Sequence, residues 1–127
     1  MLTACKKYDS WNTVVMGKVV DENNQPVEGM SFQFLGYERK GLGTLTTFDI
    51  HTQSDSEGRY EVAFLIPSST DEAVFGGTGN DKFKFGTTHD LLRESEGKYV
   101  DFISYLTIPK RSYGETTIIN FQVIKKR

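Results

Sequence analysis

The chain has 127 residues, 37% of them hydrophobic and 25% charged, with a formal net charge of −2. That length suits one domain with its own core, and no apolar run approaches the ~20 residues that a membrane-spanning helix needs. The slight negative charge argues against a nucleic-acid partner, which would select for a basic face.

Residues 1–12 read as an N-terminal tether, in which Cys5 precedes the polar run Lys6, Lys7, Tyr8, Asp9 and Ser10, and then Trp11. From residue 13 onward the pattern changes to alternation of apolar and polar residues, the mark of strands with one face in a core. A first strand is expected at 13–20, with Val15, Gly17 and Val19 on one face, and a second at 29–35, with Met30, Phe32 and Phe34 inward. A third falls at 45–53, led by Phe48 and Ile50, and the most regular at 59–66, where Tyr60, Val62, Phe64 and Ile66 alternate with Arg59, Glu61, Ala63 and Leu65. Three more are expected: 82–86 around Phe83 and Phe85, 98–108 with Val100, Phe102, Ser104, Leu106 and Ile108 inward, and 116–125 with Ile119, Phe121 and Val123. The stretch 67–97 is the least regular, and its helix formers at 89–95, with Thr88 as a cap, predict one short helix.

The turns carry their own chemistry. Asp21, Asn23, Asn24 and Pro26 form a polar connection in which asparagine tolerates positive φ and proline ends pairing. Asp55, Ser56, Glu57 and Gly58 place glycine where a hairpin needs a left-handed residue. Pro67 and Pro109 are expected to stop the strands that precede them.

Two stretches built this way, V-V-M-G-K-V-V-D-E-N-N-Q-P-V-E-G-M-S-F-Q-F at 14–34 and T-Q-S-D-S-E-G-R-Y-E-V-A-F at 52–64, carry a family resemblance. They resemble the carboxypeptidase regulatory-like and transthyretin-like domains, whose pattern is G-x-V-x-D, a turn, P-x-x-G-x-x-V and a later T-D-x-x-G-x-Y/F. The resemblance covers roughly the first half of the chain. It implies an all-β fold, a seven-stranded antiparallel Greek-key β-sandwich filling residues 13–127, and a mostly non-catalytic role. A purine-breakdown hydrolase among transthyretin-like proteins relies on a C-terminal Y-R-G-S, whereas this chain ends Ile124, Lys125, Lys126, Arg127.

Leu2, Thr3, Ala4 and Cys5 resemble a bacterial lipobox, in which small residues fit the signal peptidase and the cysteine takes a diacylglyceryl group. The expectation is a lipid anchor at Cys5 and a place in the bacterial cell envelope, as an outer-membrane lipoprotein. The alternative is an ordinary free cysteine. Being the single cysteine, it leaves stability to packing, since no disulfide within the chain can form.

Other motifs read as architecture. Gly76, Gly77, Gly79 and Asp81 match a calcium-binding nonapeptide, G-G-x-G-x-D-x-U-x, but one copy makes half a site, and a glycine-rich loop with Phe83 buried is the expectation. His51 and His89 lie far apart in sequence with no second ligand at metal-site spacing, and no serine sits in a G-x-S-x-G turn. No cofactor or metal is therefore expected. Aromatics make up 13% of the chain, and Tyr99 and Tyr105 fall on the parity opposite the core residues of 98–108, along with Asp101 and Ile103. Such a face could stack on sugar rings or anchor a protein partner, or lie beneath the 67–97 segment. The reading is a non-catalytic, lipid-anchored envelope protein that binds an oligosaccharide or an envelope protein through Tyr99, Asp101, Ile103 and Tyr105. The other class to weigh is a small transthyretin-like hydrolase with a cleft around His51 or His89.

Overall fold

A computed structural model describes residues 11–102 and 105–126. Cys5, Ile103 and Ser104 therefore lie outside the described residues. The strands are β1 (Thr13–Asp21), β2 (Ser31–Lys40), β3 (Gly43–Gln53), β4 (Arg59–Phe64), β5 (Glu72–Thr78), β6 (His89–Ser95), β7 (Lys98–Asp101), β8 (Leu106–Ile108), β9 (Thr116–Ile118) and β10 (Phe121–Lys125). One sheet runs β4-β1-β10-β6-β7, with β9 also paired to β1; the other runs β3-β2-β5-β8. The fold is an all-β sandwich of two sheets.

Side-chain alternation decides what each strand buries. Val15 and Val19 of β1, Phe32 and Phe34 of β2, Tyr60 and Val62 of β4, and Phe121 and Val123 of β10 all enter the core, as do Met30 and Ile119 just outside strands. The two sheets meet through aromatic rings. Phe32 stacks on Tyr60 of the opposite sheet at 4.3 Å and on its neighbour Phe75 at 5.4 Å, and Phe121 closes the group at 5.1 Å from Phe32.

Both turns of the resembling stretches use one device. The Asp21 carboxylate accepts the backbone N–H groups of Asn23 and Gln25 at 2.8 and 3.0 Å, and the Asp55 carboxylate those of Glu57 and Arg59 at 2.9 Å each. The side chain thereby satisfies donors that the tight turn would otherwise strand. Asn24 (φ 64°) and Gly58 (φ 78°) take the left-handed positions.

Several expectations give way. Ten strands stand among the described residues where seven were expected, and the first sheet is mixed, because β1 runs parallel to both β9 and β10. The expected strand at 116–125 is split at Ile119 and Asn120. There the Asn120 side-chain oxygen accepts the Lys18 N–H at 3.0 Å, replacing a ladder bond. The irregular 67–97 stretch holds two of the unforeseen strands. In β5 the inward set is Ala73, Phe75 and Gly77, so glycine hides the alternation; a Cβ at Gly77 would come within 2.7 Å of Leu91 and Met30.

The short helix expected at 89–95 is instead β6, zipped between β10 and β7. Helix propensity amounts to a few tenths of a kcal/mol per residue. Two ladders of backbone hydrogen bonds and the burial of Leu91 outweigh it. Thr88 makes no helix cap; its hydroxyl lies 2.8 Å from His89 Nδ1. Residues 82–86 form no strand beyond a single bridge from Phe85 to His89. Asn80 organises this loop, its side-chain oxygen accepting the N–H groups of Lys82 and Phe83 at 2.9 Å each, and Phe83 is buried.

In place of the expected strand at 98–108 there are two, one in each sheet: Asp101 of β7 pairs with Leu92, and Leu106 of β8 pairs with Phe75. Phe102, Leu106 and Ile108 nonetheless all pack against the core. Val100 shares their parity but is 39% exposed, lying on an edge strand that the second sheet does not cover.

Phe64 is half-buried rather than buried, and stacks on Phe48 at 4.9 Å. Phe64→Ala is accordingly expected to cost about 2 kcal/mol, below the ~3–5 kcal/mol of a fully buried ring. Outward-facing Glu61→Ala should stay within about 0.5 kcal/mol of the parent. Equal losses of melting temperature in the two variants would mean that the β4 register is wrong.

Candidate functional site

That β7 and β8 belong to different sheets decides where the expected binding residues go. On the outer face of the first sheet, Tyr99 sits opposite Glu94 and lines a shallow depression of about 270 Å³ with Lys18, Asn24, Glu94 and Asn120. Burial raises the pKa of its phenol, helped by the Glu94 carboxylate. Tyr105 belongs to the other sheet, its hydroxyl donating to Gln33 Oε1 at 2.6 Å on the outer face of β2. The two tyrosines therefore do not share a face; they lie on opposite outer surfaces of the sandwich.

Around Tyr105 the structure assembles residues far apart in sequence. Outward parity places Gln33, Asp49 and His51 on one surface, with Gly76 between Gln33 and the edge near Tyr105. Having no side chain, Gly76 leaves room for the phenol to reach across β5. Gln33 Nε2 donates to Asp49 Oδ1 at 2.9 Å, and the same oxygen lies 3.1 Å from His51 Nε2. The result is a row of phenol, amide, carboxylate and imidazole across a sheet face. Beside it, Ser31, His51, Gln53 and Thr78 line a shallow groove of about 320 Å³.

Tyr105 also borders a cleft of about 480 Å³ at the corner where the sheets part, with Asp90, Asp101, Phe85 and Phe102 on its walls. Asp101 and Tyr105 thus share a site, although not the strand face expected of them. Asp90 is paired with Lys126 at 3.5 Å. Rings beside carboxylates and a phenol suit a ligand with apolar faces and hydroxyl or amine groups.

The histidines do not converge. His51 lies on the polar sheet face, whereas His89 packs edge-on against Phe83 at 5.2 Å in a separate pocket with Glu22 and Lys125. Among the described residues, no group of three or more His, Cys, Asp or Glu is placed to hold a metal ion. In the Gln33–Asp49–His51 set, Asp49 and His51 share a face of β3 by alternation, and only the pairing of β2 with β3 adds Gln33. Outward parity on 29–35 and 45–53 is the one signal of it that the sequence carries.

Fold and site together define a two-sheet β protein with a polar sheet face and a corner cleft. No protein-family profile matches the chain, and no curated protein matches it. Among solved structures, the plantain pollen allergen Pla l 1 aligns over 91% of this chain and 94% of its own, at 12% identity and a TM-score of 0.46. A 9R-lipoxygenase from Cyanothece PCC8801 aligns over 98% of this chain and 17% of its own, at 10% identity and a TM-score of 0.42.

Proposed function

We propose that this chain is a non-catalytic binding module of the bacterial cell envelope, of the carboxypeptidase regulatory-like or transthyretin-like Greek-key kind, anchored by lipid at Cys5. It takes an oligosaccharide across the Tyr105 face. The observation that carries this reading is Tyr105 itself: a ring 40% exposed yet fixed by its hydrogen bond to Gln33. A ring held in place offers apolar area to a sugar face without an ordering cost on binding. The neighbouring amide, carboxylate and hydroxyl groups of Gln33, Asp49, Ser31 and Thr78 supply donors and acceptors for ring hydroxyls.

A glycan array is the means of finding the ligand, and calorimetry with the best binder is the test. Tyr105→Ala should weaken binding at least about tenfold, as loss of a stacking anchor does, with the melting temperature nearly unchanged. Tyr99→Ala, on the opposite surface, should bind as the parent does. Equal weakening by both variants, or full binding by Tyr105→Ala, would move the site elsewhere. The anchor has its own test. Mass spectrometry of membrane-extracted protein should find a diacylglyceryl adduct on Cys5, and an unmodified N-terminus upstream of Leu2 would end that part of the reading.

A further inference from the structure

The exposed large apolar side chains are not scattered. Among the described residues they are Trp11, Leu42, Leu45, Leu65, Val100, Tyr105 and Ile118. Trp11, Leu42, Leu45 and Leu65 lie at one end of the sandwich, and it is the end at which the N-terminal segment joins β1. The pairings fix this placement. Thr13 pairs with Phe64, Phe64 stacks on Phe48, and Phe48 pairs with Gly36, so all four stand at one level. Beyond Gly36 and Phe48 the β2–β3 hairpin runs about five further residues, or ~17 Å of strand, to its tip, flanked by Asp71 and Glu72 only as far as Arg39.

The tip is built to expose its apolar residue. Lys40 pairs with Gly43, leaving the two-residue loop Gly41 and Leu42, and Gly41 takes the positive φ (57°) that a tight hairpin requires at that position. Leu42 is fully exposed, with a relative accessibility of 110%. The same end carries exposed cations. Lys40 is next to the tip, and Lys110 and Arg111 lie on the 3-10 turn Lys110–Ser112, close to the point where Gly114 N–H donates to Thr13 Oγ1 at 2.8 Å. Carboxylates are present too: Glu72 pairs with Arg39 at 3.7 Å, Asp71 accepts the Arg39 backbone N–H at 2.6 Å, and Glu38 and Glu115 lie nearby.

We infer that this end is a membrane-docking surface, with Leu42 entering the interfacial layer of a phospholipid bilayer and Lys40, Lys110 and Arg111 facing its phosphates. The inference rests on the proposed anchor at Cys5. Thr13 is the eighth residue after Cys5, a span of at most ~29 Å of extended chain, which keeps this end close to the bilayer. Apolar tips flanked by cations are suited to an interface that is apolar below and anionic above. Docking this way holds the sandwich with its long axis away from the bilayer. The groove of Ser31, Gln53 and Thr78, at the other end of β2, then stands some nine residues, or ~30 Å of strand, from the hairpin tip.

Because Cys5 is the single cysteine, its thiol can be coupled to a maleimide-headgroup lipid in phospholipid vesicles that contain brominated acyl chains. In a Trp11→Phe background, Leu42→Trp and Ser56→Trp each supply the sole tryptophan, one at the tip and one in the exposed turn at the far end. Both positions are open to solvent, so neither variant threatens the fold. Leu42→Trp should show emission quenched at least about twofold and shifted to the blue, as interfacial insertion requires, while Ser56→Trp is unaffected. Equal quenching at the two positions, or none at Leu42→Trp, would overturn docking. Since the coupling is chemical, that result is independent of whether cells acylate Cys5, which the mass spectrometry decides separately.

Discussion

Phe32→Ala is expected to destabilise the protein by ~3–5 kcal/mol, the range seen when fully buried aromatic side chains are truncated. Phe32 is completely buried, at the centre of the rings that join the sheets: Tyr60, Phe75 and Phe121 all lie within 5.4 Å of its centroid. Removing it takes contacts from both layers at once, and β-sheets held by two ladders cannot collapse far into the gap. Urea unfolding should show a midpoint well below the parent's with an unchanged slope, the sign of lost stability rather than an altered unfolded state. Val100→Ala, on the uncovered edge, should lie within about 0.5 kcal/mol of the parent. A loss under ~1 kcal/mol for Phe32→Ala would mean that the sheets do not meet through this stack.

Gly17→Ala should be at least as severe as many larger substitutions, about 3 kcal/mol or more, although it adds a single methyl group. A Cβ at Gly17 would overlap the Ile119 carbonyl and come within 3.1 Å of the Tyr60 hydroxyl. That carbonyl is the acceptor of the Tyr60 hydroxyl at 2.6 Å, while the Ile119 N–H donates to Met16. Burial pushes the Tyr60 pKa far above the usual tyrosine range, so the phenol stays a donor at any accessible pH. The added methyl therefore forces apart the joint between β1 and the β9–β10 segment, and it disrupts a buried hydrogen bond as well. Tyr60→Phe provides the comparison. It removes the hydrogen bond without the overlap and should cost only ~1–3 kcal/mol. If Gly17→Ala melts with the parent, the close crossing of these strands is wrong.

Much of the core is legible in the alternation of residue types alone. Val15, Met30, Phe32, Phe34, Phe48, Tyr60, Val62, Ile119, Phe121 and Val123 all fall on the inward parity of their segments, and all are buried. Parity needs no knowledge of partners, since the extended backbone itself sends successive side chains to opposite sides. The turns at 21–26 and 55–58 are legible for a similar reason: an aspartate that accepts N–H groups two and four residues on is a local interaction. Phe64 marks the limit of such reading, because parity gives direction and the depth of burial depends on neighbours.

Sheet membership lies beyond the sequence. The same alternation runs through Val100, Phe102, Leu106 and Ile108 whether a strand stays in one sheet or crosses to the other, so only the pairing partners Leu92 and Phe75 reveal the change. That one change sends Tyr99 and Tyr105 to opposite surfaces and joins Tyr105 to Gln33, a residue 72 positions away. Residues 89–95 are undecided in the same way, since helix formers there express a weak local preference and β10 and β7 supply the stronger, non-local one. Which residues face inward and where the chain turns can be read from residue order alone, because both follow from local backbone geometry. Which strands become neighbours, and so which outward residues meet, emerges only in the folded molecule, because hydrogen-bond ladders and ring stacks join residues that no local pattern relates.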